Sequence, residues 1–170
     1  LLSYNIMGFD GAAKQDGKNP ILTYLKESGA DILCLQEYST VQSSKHLSQK
    51  DVERELKAYP YHRINTVGSG KGHTNKMACY SKFPILSSRI LDYPSEYNGS
   101  VLYEIKIGED TVTLINNHLE SNKLTKADKV VYEDMLKSPE KEKVKSGARL
   151  LIRKLAEASA IRAPQADTIA

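Results

Sequence analysis

The sequence predicts an α+β fold in which helical segments flank a central block of strands. Short apolar runs separated by Gly, Pro and Asn fill residues 61–118. Patterns with helical spacing lie before and after this block, and strands outnumber helices within it. Because strands and helices do not alternate regularly, a layered α+β structure is favoured over a parallel βαβ fold.

The overall composition supports one globular unit. The 170 residues suffice for a single domain with a hydrophobic core, but not for two large domains. Apolar residues make up 40% and charged residues 26%, which excludes collagen-like, membrane-spanning and wholly disordered chains. The formal net charge of +3 is compatible with a polyanionic substrate without specifying one.

The N-terminal third reads as strand, helix and buried strand. Residues 1–7 are apolar-rich and precede Gly8 and Gly11, which predicts a strand that ends in a loop. Asn19 is a suitable N-cap for a helix that starts at Pro20 and stops near Gly29. The nearly continuous apolar run at 32–35 is typical of a strand buried on both faces.

The middle of the chain predicts a second helix and then mostly strands. The helix spans 48–59 and is ended by Pro60, and strands follow at 61–66, 76–81 and 86–91. Asn98-Gly99 is a tight-turn signal. A β-hairpin is predicted from the alternating segments 101–107 and 111–118, which are joined by a turn at 108–110.

The remaining C-terminal segment changes in character. Residues 123–145 are polar and Lys-rich, and the alternating Glu residues favour a solvated face over a nucleic-acid-binding patch, which stays an alternative. Apolar and polar positions from Leu151 to Arg162 then follow helical spacing. We expect Pro164 to break or kink this helix.

Two further patterns have structural interpretations. Cys34 and Cys79 both lie in strand-like apolar runs, so we expect buried free thiols. The stretch from Gly68 to Thr74 resembles a phosphate-binding loop, but Gly72 follows Lys71 where that motif needs Ser or Thr. We therefore interpret this stretch as a flexible loop.

Three polar residues at predicted strand ends are candidates for chemistry. Asn5 lies within the first apolar strand or at its open end, Glu37 follows the most buried strand, and His118 ends the hairpin. A carboxylate at a strand tip can hold Mg²⁺, and an imidazole there can donate to a phosphate oxygen. Taken singly, each also has a structural reading: a strand-end Asn, a solvated Glu and a satisfied buried His.

The motifs in their order resemble the endonuclease/exonuclease/phosphatase superfamily, also called DNase I-like. They are Asn5 on the first strand, Leu35-Gln36-Glu37, Ser81-Lys82-Phe83-Pro84-Ile85, Asn116-Asn117-His118-Leu119, and an Arg-x-x-Gln from Arg162 to Gln165. The resemblance runs from residue 3 to residue 165. It implies a four-layer α/β/β/α sandwich and a divalent-metal-dependent phosphoester hydrolase (a phosphodiesterase, nuclease or phosphatase).

The resemblance also implies residue roles. Glu37 would ligate Mg²⁺ or Mn²⁺, and Asn5 would help to position the metal or the phosphate. His118 would hydrogen-bond the scissile phosphate or assist proton transfer. Asn116 and Arg162 would contact the site residues and not the substrate, and would help to hold the site residues in position. The substrate would be a phosphoester of a nucleic acid, a lipid or a small molecule, which the sequence does not distinguish.

The second half of the family's active site has no counterpart in this sequence. A Gly-Asp-Phe-Asn-like segment and a final Ser-Asp-His are absent, and none of the four His residues follows an Asp. We therefore expect residues 1–170 to be the N-terminal two-thirds of one domain, inactive alone and prone to dimerise or associate through exposed strand edges. The alternative is a non-catalytic module that binds a phosphorylated ligand or a partner.

Overall fold

The computed structural model describes residues 1–11, 18–41, 46–68, 75–122, 124–137 and 141–170. They form two compact units, Leu1–His118 and Leu119–Ala170. The segment predicted as a flexible loop lies outside the described residues apart from Gly68.

The first unit contains a four-stranded mixed sheet. Its spatial order is β1-β2-β4-β3, with β1 at Leu2–Asn5, β2 at Ile32–Gln36, β3 at Tyr61–Val67 and β4 at Asn75–Ser81. β1 and β2 are parallel, so their carboxyl ends meet at one end of the sheet. β4 is antiparallel to β2 and therefore begins at that same end.

Helices cover one face of this sheet. They are the short α1 at Met7–Gly11, α2 at Pro20–Glu27 and α3 at Gln49–Glu55. The Asn19 side chain accepts from the N–H of Leu22 at 3.0 Å, which confirms the predicted cap of α2. The helix side chains Leu25 and Val52 are buried in one cluster with Leu33 of β2.

A three-stranded antiparallel sheet packs on the other face. It comprises β5 at Ile85–Leu91, β6 at Gly99–Ile107 and β7 at Asp110–His118, in the order β5-β6-β7. A second core cluster lies between the sheets and includes Met77 and Cys79 from the first and Val101 and Tyr103 from the second. The first unit thus has the layers α/β/β, and the predicted α+β class is confirmed.

Two predictions about the strands have different outcomes. The hairpin β6–β7 is confirmed, with its turn at Gly108, where φ is +59°. The tight turn at Asn98-Gly99 is wrong, because Gly99 begins β6 and pairs with His118. A Cβ on Gly99 would lie 2.5 Å from the Cβ of Val67, so this glycine allows a close approach to β3 instead of a turn.

Two predictions about the N-terminal helices need correction. The loop expected after β1 begins with the helical turn α1. The second helix is shorter than predicted, because Ser48 is its N-cap and helical geometry is lost at Leu56. Ser48 and Asp51 form a reciprocal capping box, which fixes the start of α3.

The second unit contains two helices, α4 at Lys126–Lys137 and α5 at Lys141–Ile169. Lys154 of α5 donates to both carboxylate oxygens of Asp128 on α4, at 2.6 and 2.8 Å. Of the expected break or kink at Pro164, the break is wrong, since α5 continues to Ile169, and the kink stays a prediction. Pro164 lacks one N–H, which removes a single ladder hydrogen bond while those of its neighbours can remain.

Cys34 and Cys79 are buried free thiols, as predicted, and are directly opposite each other on β2 and β4. Within the described part of the chain, no helix is both long and apolar enough to cross a membrane.

Candidate active site

Asn5, Glu37 and His118 lie together at one end of the first unit. The amide Nδ2 of Asn5 donates to Glu37 Oε1 at 2.8 Å, and His118 Nε2 lies 3.3 Å from the same oxygen. The nitrogens of Asn5 and His118 are 3.5 Å apart. These contacts bring the three candidate residues into one polar cluster.

The Glu37 backbone has an unusual conformation that is held from both sides. Its φ of +52° lies in the left-handed region, which is uncommon for a residue with a side chain. The N–H of Gly8 donates to the Glu37 carbonyl at 2.8 Å, and the N–H of Tyr38 donates to the Lys76 carbonyl at 2.8 Å. These bonds fix where the carboxylate leaves the end of β2.

The Asn5 amide has a defined orientation. Its Oδ1 accepts from the backbone N–H of Met7 at 3.1 Å, so its Nδ2 must face Glu37. A carbonyl oxygen has two lone pairs, and one remains after the contact with Met7. Asn5 therefore hydrogen-bonds the Glu37 carboxylate and retains one oxygen lone pair.

His118 has a further neighbour that the sequence analysis missed. Asn75, the first residue of β4, places its Nδ2 3.4 Å from His118 Nδ1. The His118 side chain is 20% exposed, so it reaches solvent at the sandwich end. Asn75 is a polar residue at the start of a strand antiparallel to β2. Its location at the site could be predicted only if that strand pairing were already known.

A buried polar pair lies behind the site and joins the two sheets. Gln36 Nε2 donates to Asn116 Oδ1, and both side chains are at most 5% exposed. Asn116 Nδ2 also points at the carbonyls of Leu35 and Ala78, at 3.5 and 3.4 Å. Asn116 is two residues from His118 on β7, so this pair couples the position of His118 to β2, the strand that directly precedes Glu37.

The remaining predicted residue, Arg162, lies on α5 in the second unit and is partly exposed. Gln165, one turn further along, is 1% exposed, and its Oε1 accepts from the N–H of Glu120 at 3.0 Å. The supporting role of Arg162 stays a prediction.

The donor set fits one part of a magnesium or manganese site. The Glu37 carboxylate is 38% exposed, and carboxylate and amide oxygens with several waters are what Mg²⁺ prefers. Among the described residues, no group of three or more His, Cys, Asp or Glu side chains could hold a metal ion. The described residues would therefore supply a metal ion with one carboxylate ligand and one adjacent amide.

The fold agrees with the comparison with known families. The model of the endonuclease/exonuclease/phosphatase family matches residues 2–162. The chain belongs to this family of phosphoester hydrolases, whose members are generally divalent-metal dependent. The predicted DNase I-like α+β fold is confirmed.

Several solved structures are similar to this chain. TDP2 from Caenorhabditis elegans is 25% identical, with a TM-score of 0.42 over 81% of this chain and 43% of that one. TDP2 from D. rerio, complexed with a single-strand DNA product, is 21% identical, with a TM-score of 0.47 over 81% of this chain and 55% of that one. ANGEL2, a 2′,3′-cyclic phosphatase, is 18% identical, with a TM-score of 0.46 over 83% and 48%.

The chain thus spans 43% of the C. elegans TDP2 structure and about half of the other two. No curated protein sequence matches it.

Proposed function

We propose that this chain carries part of the active site of a divalent-metal-dependent phosphoester hydrolase. The observation that carries the proposal is the convergence of Asn5, Glu37 and His118 within 3.5 Å of one another. The substrate is a phosphoester of a nucleic acid, a lipid or a small molecule. Family membership supports this class of chemistry without selecting among these substrates.

Each residue has a defined task in this proposal. Glu37 binds Mg²⁺ or Mn²⁺ through its carboxylate, and Asn5 orients that carboxylate and offers its carbonyl oxygen to the ion. A bound divalent ion neutralises phosphate charge and lowers the pKa of a coordinated water. His118 donates a hydrogen bond to a phosphate oxygen as negative charge develops on it.

We further propose that these 170 residues alone do not turn over phosphoesters. Among the described residues the site contains one carboxylate, and none of the four His residues directly follows an Asp, so the Asp-His motif that would activate water is absent from these 170 residues. Loss of a general base costs roughly 10²–10⁴-fold in rate. Metal-dependent hydrolysis of bis-nitrophenyl phosphate by a monodisperse preparation of the chain would contradict this proposal.

The missing motifs favour a second candidate function. In this alternative the protein binds a phosphorylated ligand or partner without hydrolysing it. Saturable binding of a phosphate ester by a form of the protein that shows no turnover under any metal condition would support the binding module over the hydrolase.

Metal binding at Glu37 can be tested on the chain itself. Mn²⁺ should broaden the NMR signals of Asn5 and His118, because a paramagnetic ion at Glu37 lies next to both. Glu37→Gln should abolish this broadening, since the amide has no negative charge to hold the ion. In any longer form of the protein that hydrolyses a phosphodiester, the same variant should remove most of the turnover.

Glu53→Gln is the matched control. Glu53 on α3 also faces a histidine, with its Oε1 3.6 Å from His62 Nε2, and its side chain is similarly exposed at 43%. This variant should leave the broadening of Asn5 and His118 unchanged. Equal broadening in wild type and Glu37→Gln would remove Glu37 as the metal ligand.

A further inference from the structure

The orientation of the Asn75 side chain is fixed by its own strand. Its Oδ1 accepts from the backbone N–H of Lys76 at 2.9 Å. The amide nitrogen must therefore face the opposite way, and there it lies 3.4 Å from His118 Nδ1. Exchanging the oxygen and nitrogen of this amide would place two donors, the Lys76 N–H and the Asn75 NH₂, against each other.

We infer that Asn75 holds neutral His118 as the Nε2–H tautomer. An amide nitrogen can only donate, so the Nδ1 atom that receives it must present a lone pair. The single ring proton of a neutral imidazole is then on Nε2. Asn75 is thus a positioning residue, which sets where His118 carries its proton.

The other side of the ring agrees with this tautomer. His118 Nε2 faces Glu37 Oε1 at 3.3 Å, and a carboxylate oxygen can only accept. Asn5 Nδ2, itself oriented by the Met7 N–H, donates to the same oxygen at 2.8 Å. The two nitrogens lie 3.5 Å apart because both N–H groups converge on one acceptor.

The opposite tautomer would let Nε2 accept from Asn5 Nδ2 at 3.5 Å, but it would create two unfavourable contacts. An Nδ1–H would point at the Asn75 NH₂, and a bare Nε2 lone pair would face the Glu37 carboxylate. The Nε2–H form has neither conflict, so the same contacts that define the site also select the tautomer.

This assignment limits what His118 can do, and in that respect it rests on the proposed function. With its proton on Nε2, the ring presents a donor to a phosphate oxygen near Glu37. It has no lone pair at that position to take a proton from water. His118 therefore stabilises developing charge, and the general base must be another group.

The tautomer can be measured without metal or substrate. The chain is labelled with ¹⁵N in its histidine rings, and long-range ¹H–¹⁵N correlations are recorded at a pH at which the rings are neutral. In the wild type we expect a pyridine-type Nδ1 and a pyrrole-type Nε2 for His118. Asn75→Asp should remove the pyridine-type Nδ1 signal, because a carboxylate facing Nδ1 can only accept a proton from the ring.

Asn117→Asp is the matched control. Asn117 is exposed, directly precedes His118, and its side chain is on the opposite face of β7, so the same charge is introduced without a contact to Nδ1. It should leave the wild-type pattern intact. A pyrrole-type Nδ1 in the wild type would overturn the inference, as would an unchanged pattern in folded Asn75→Asp.

Failure of this inference can be told apart from failure of the proposed function. The wild-type spectrum needs no variant that might misfold, and it is read without Mn²⁺. A confirmed tautomer together with Mn²⁺ broadening that survives Glu37→Gln would retain the inference and remove the metal site. A pyrrole-type Nδ1 in the wild type together with Mn²⁺ broadening that is lost in Glu37→Gln would remove only the role of Asn75.

Discussion

The buried pair of Gln36 and Asn116 gives the sharpest test of how the site is built. Gln36 is 5% exposed and Asn116 is 2% exposed, so water cannot easily replace a partner that is removed. Asn116→Leu removes the acceptor of Gln36 Nε2 across the sheets and leaves it with Ser3 Oγ and the Cys34 carbonyl, while Leu preserves most of the side-chain volume. The variant therefore tests the polar contact and not only the packing.

The expected loss of unfolding free energy depends on which buried polar groups lose their hydrogen-bond partners. Asn116→Leu removes one hydrogen bond of Gln36 and two long contacts to strand carbonyls, so it should lower the free energy of unfolding by about 1–2 kcal/mol. Gln36→Leu should lower it by about 1–3 kcal/mol, because the buried Asn116 Oδ1 loses its donor. The double variant removes both polar groups, so its cost should be smaller than the sum by roughly 1–2 kcal/mol.

Urea denaturation followed by circular dichroism measures these differences in unfolding free energy. Asn117→Leu is the matched control on the same strand, and because Asn117 is exposed it should change stability by only about 0.5 kcal/mol. Strictly additive costs in the double variant would refute the coupling. A cost for Asn116→Leu no larger than that of Asn117→Leu would refute the importance of burial.

Two further predictions concern acid and association. Hydrogen bonding from Lys154 holds the pKa of Asp128 at about 2, below the usual 3.8, so this stabilisation of the second unit is present above about pH 4 and lost as the pH falls towards 2. Far-UV circular dichroism should show this loss of helix stability as an acid transition. Asp128→Asn should remove the transition, because the amide does not titrate. An unchanged transition in this variant would contradict the assignment to Asp128. Among the described strands, β1, β3, β5 and β7 lie at sheet edges, so the chain should dimerise or associate further. A monodisperse monomer by light scattering would contradict this.

The sequence predicted the candidate site better than it predicted the termini of the elements. Asn5, Glu37 and His118 could be identified from the sequence because each stands at the end of an apolar strand pattern. Such patterns depend on local alternation and burial. Their common location then follows from topology: β1 and β2 are parallel, and β7 ends beside them. The distances between them depend on side-chain contacts that no local pattern encodes.

The errors and omissions have a common physical origin in contacts between distant segments. Gly99 looked like a turn residue, but its lack of a side chain serves the approach of β3. Asn75 looked like an ordinary polar residue, because its partner His118 is 43 positions away. Pro164 looked like a helix end, yet local propensity alone did not decide where α5 stops.

The backbone conformation at the site argues that the Glu37 carboxylate is positioned before any ligand arrives. Glu37, Met7 and Phe9 have φ values of +52°, +45° and +58°, and such conformations of non-glycine residues cost of order 1–3 kcal/mol each. They persist because surrounding contacts over-determine them: the Gly8–Glu37 backbone bond joins the two turns, and the buried rings of Phe9 and Tyr38 pack edge to face at 5.5 Å. The strain is thus concentrated at the two strand ends that present Asn5 and Glu37, and buried aromatic packing offsets it. A carboxylate held in this way loses little further freedom when a cation binds, which is what a preorganised ligand requires.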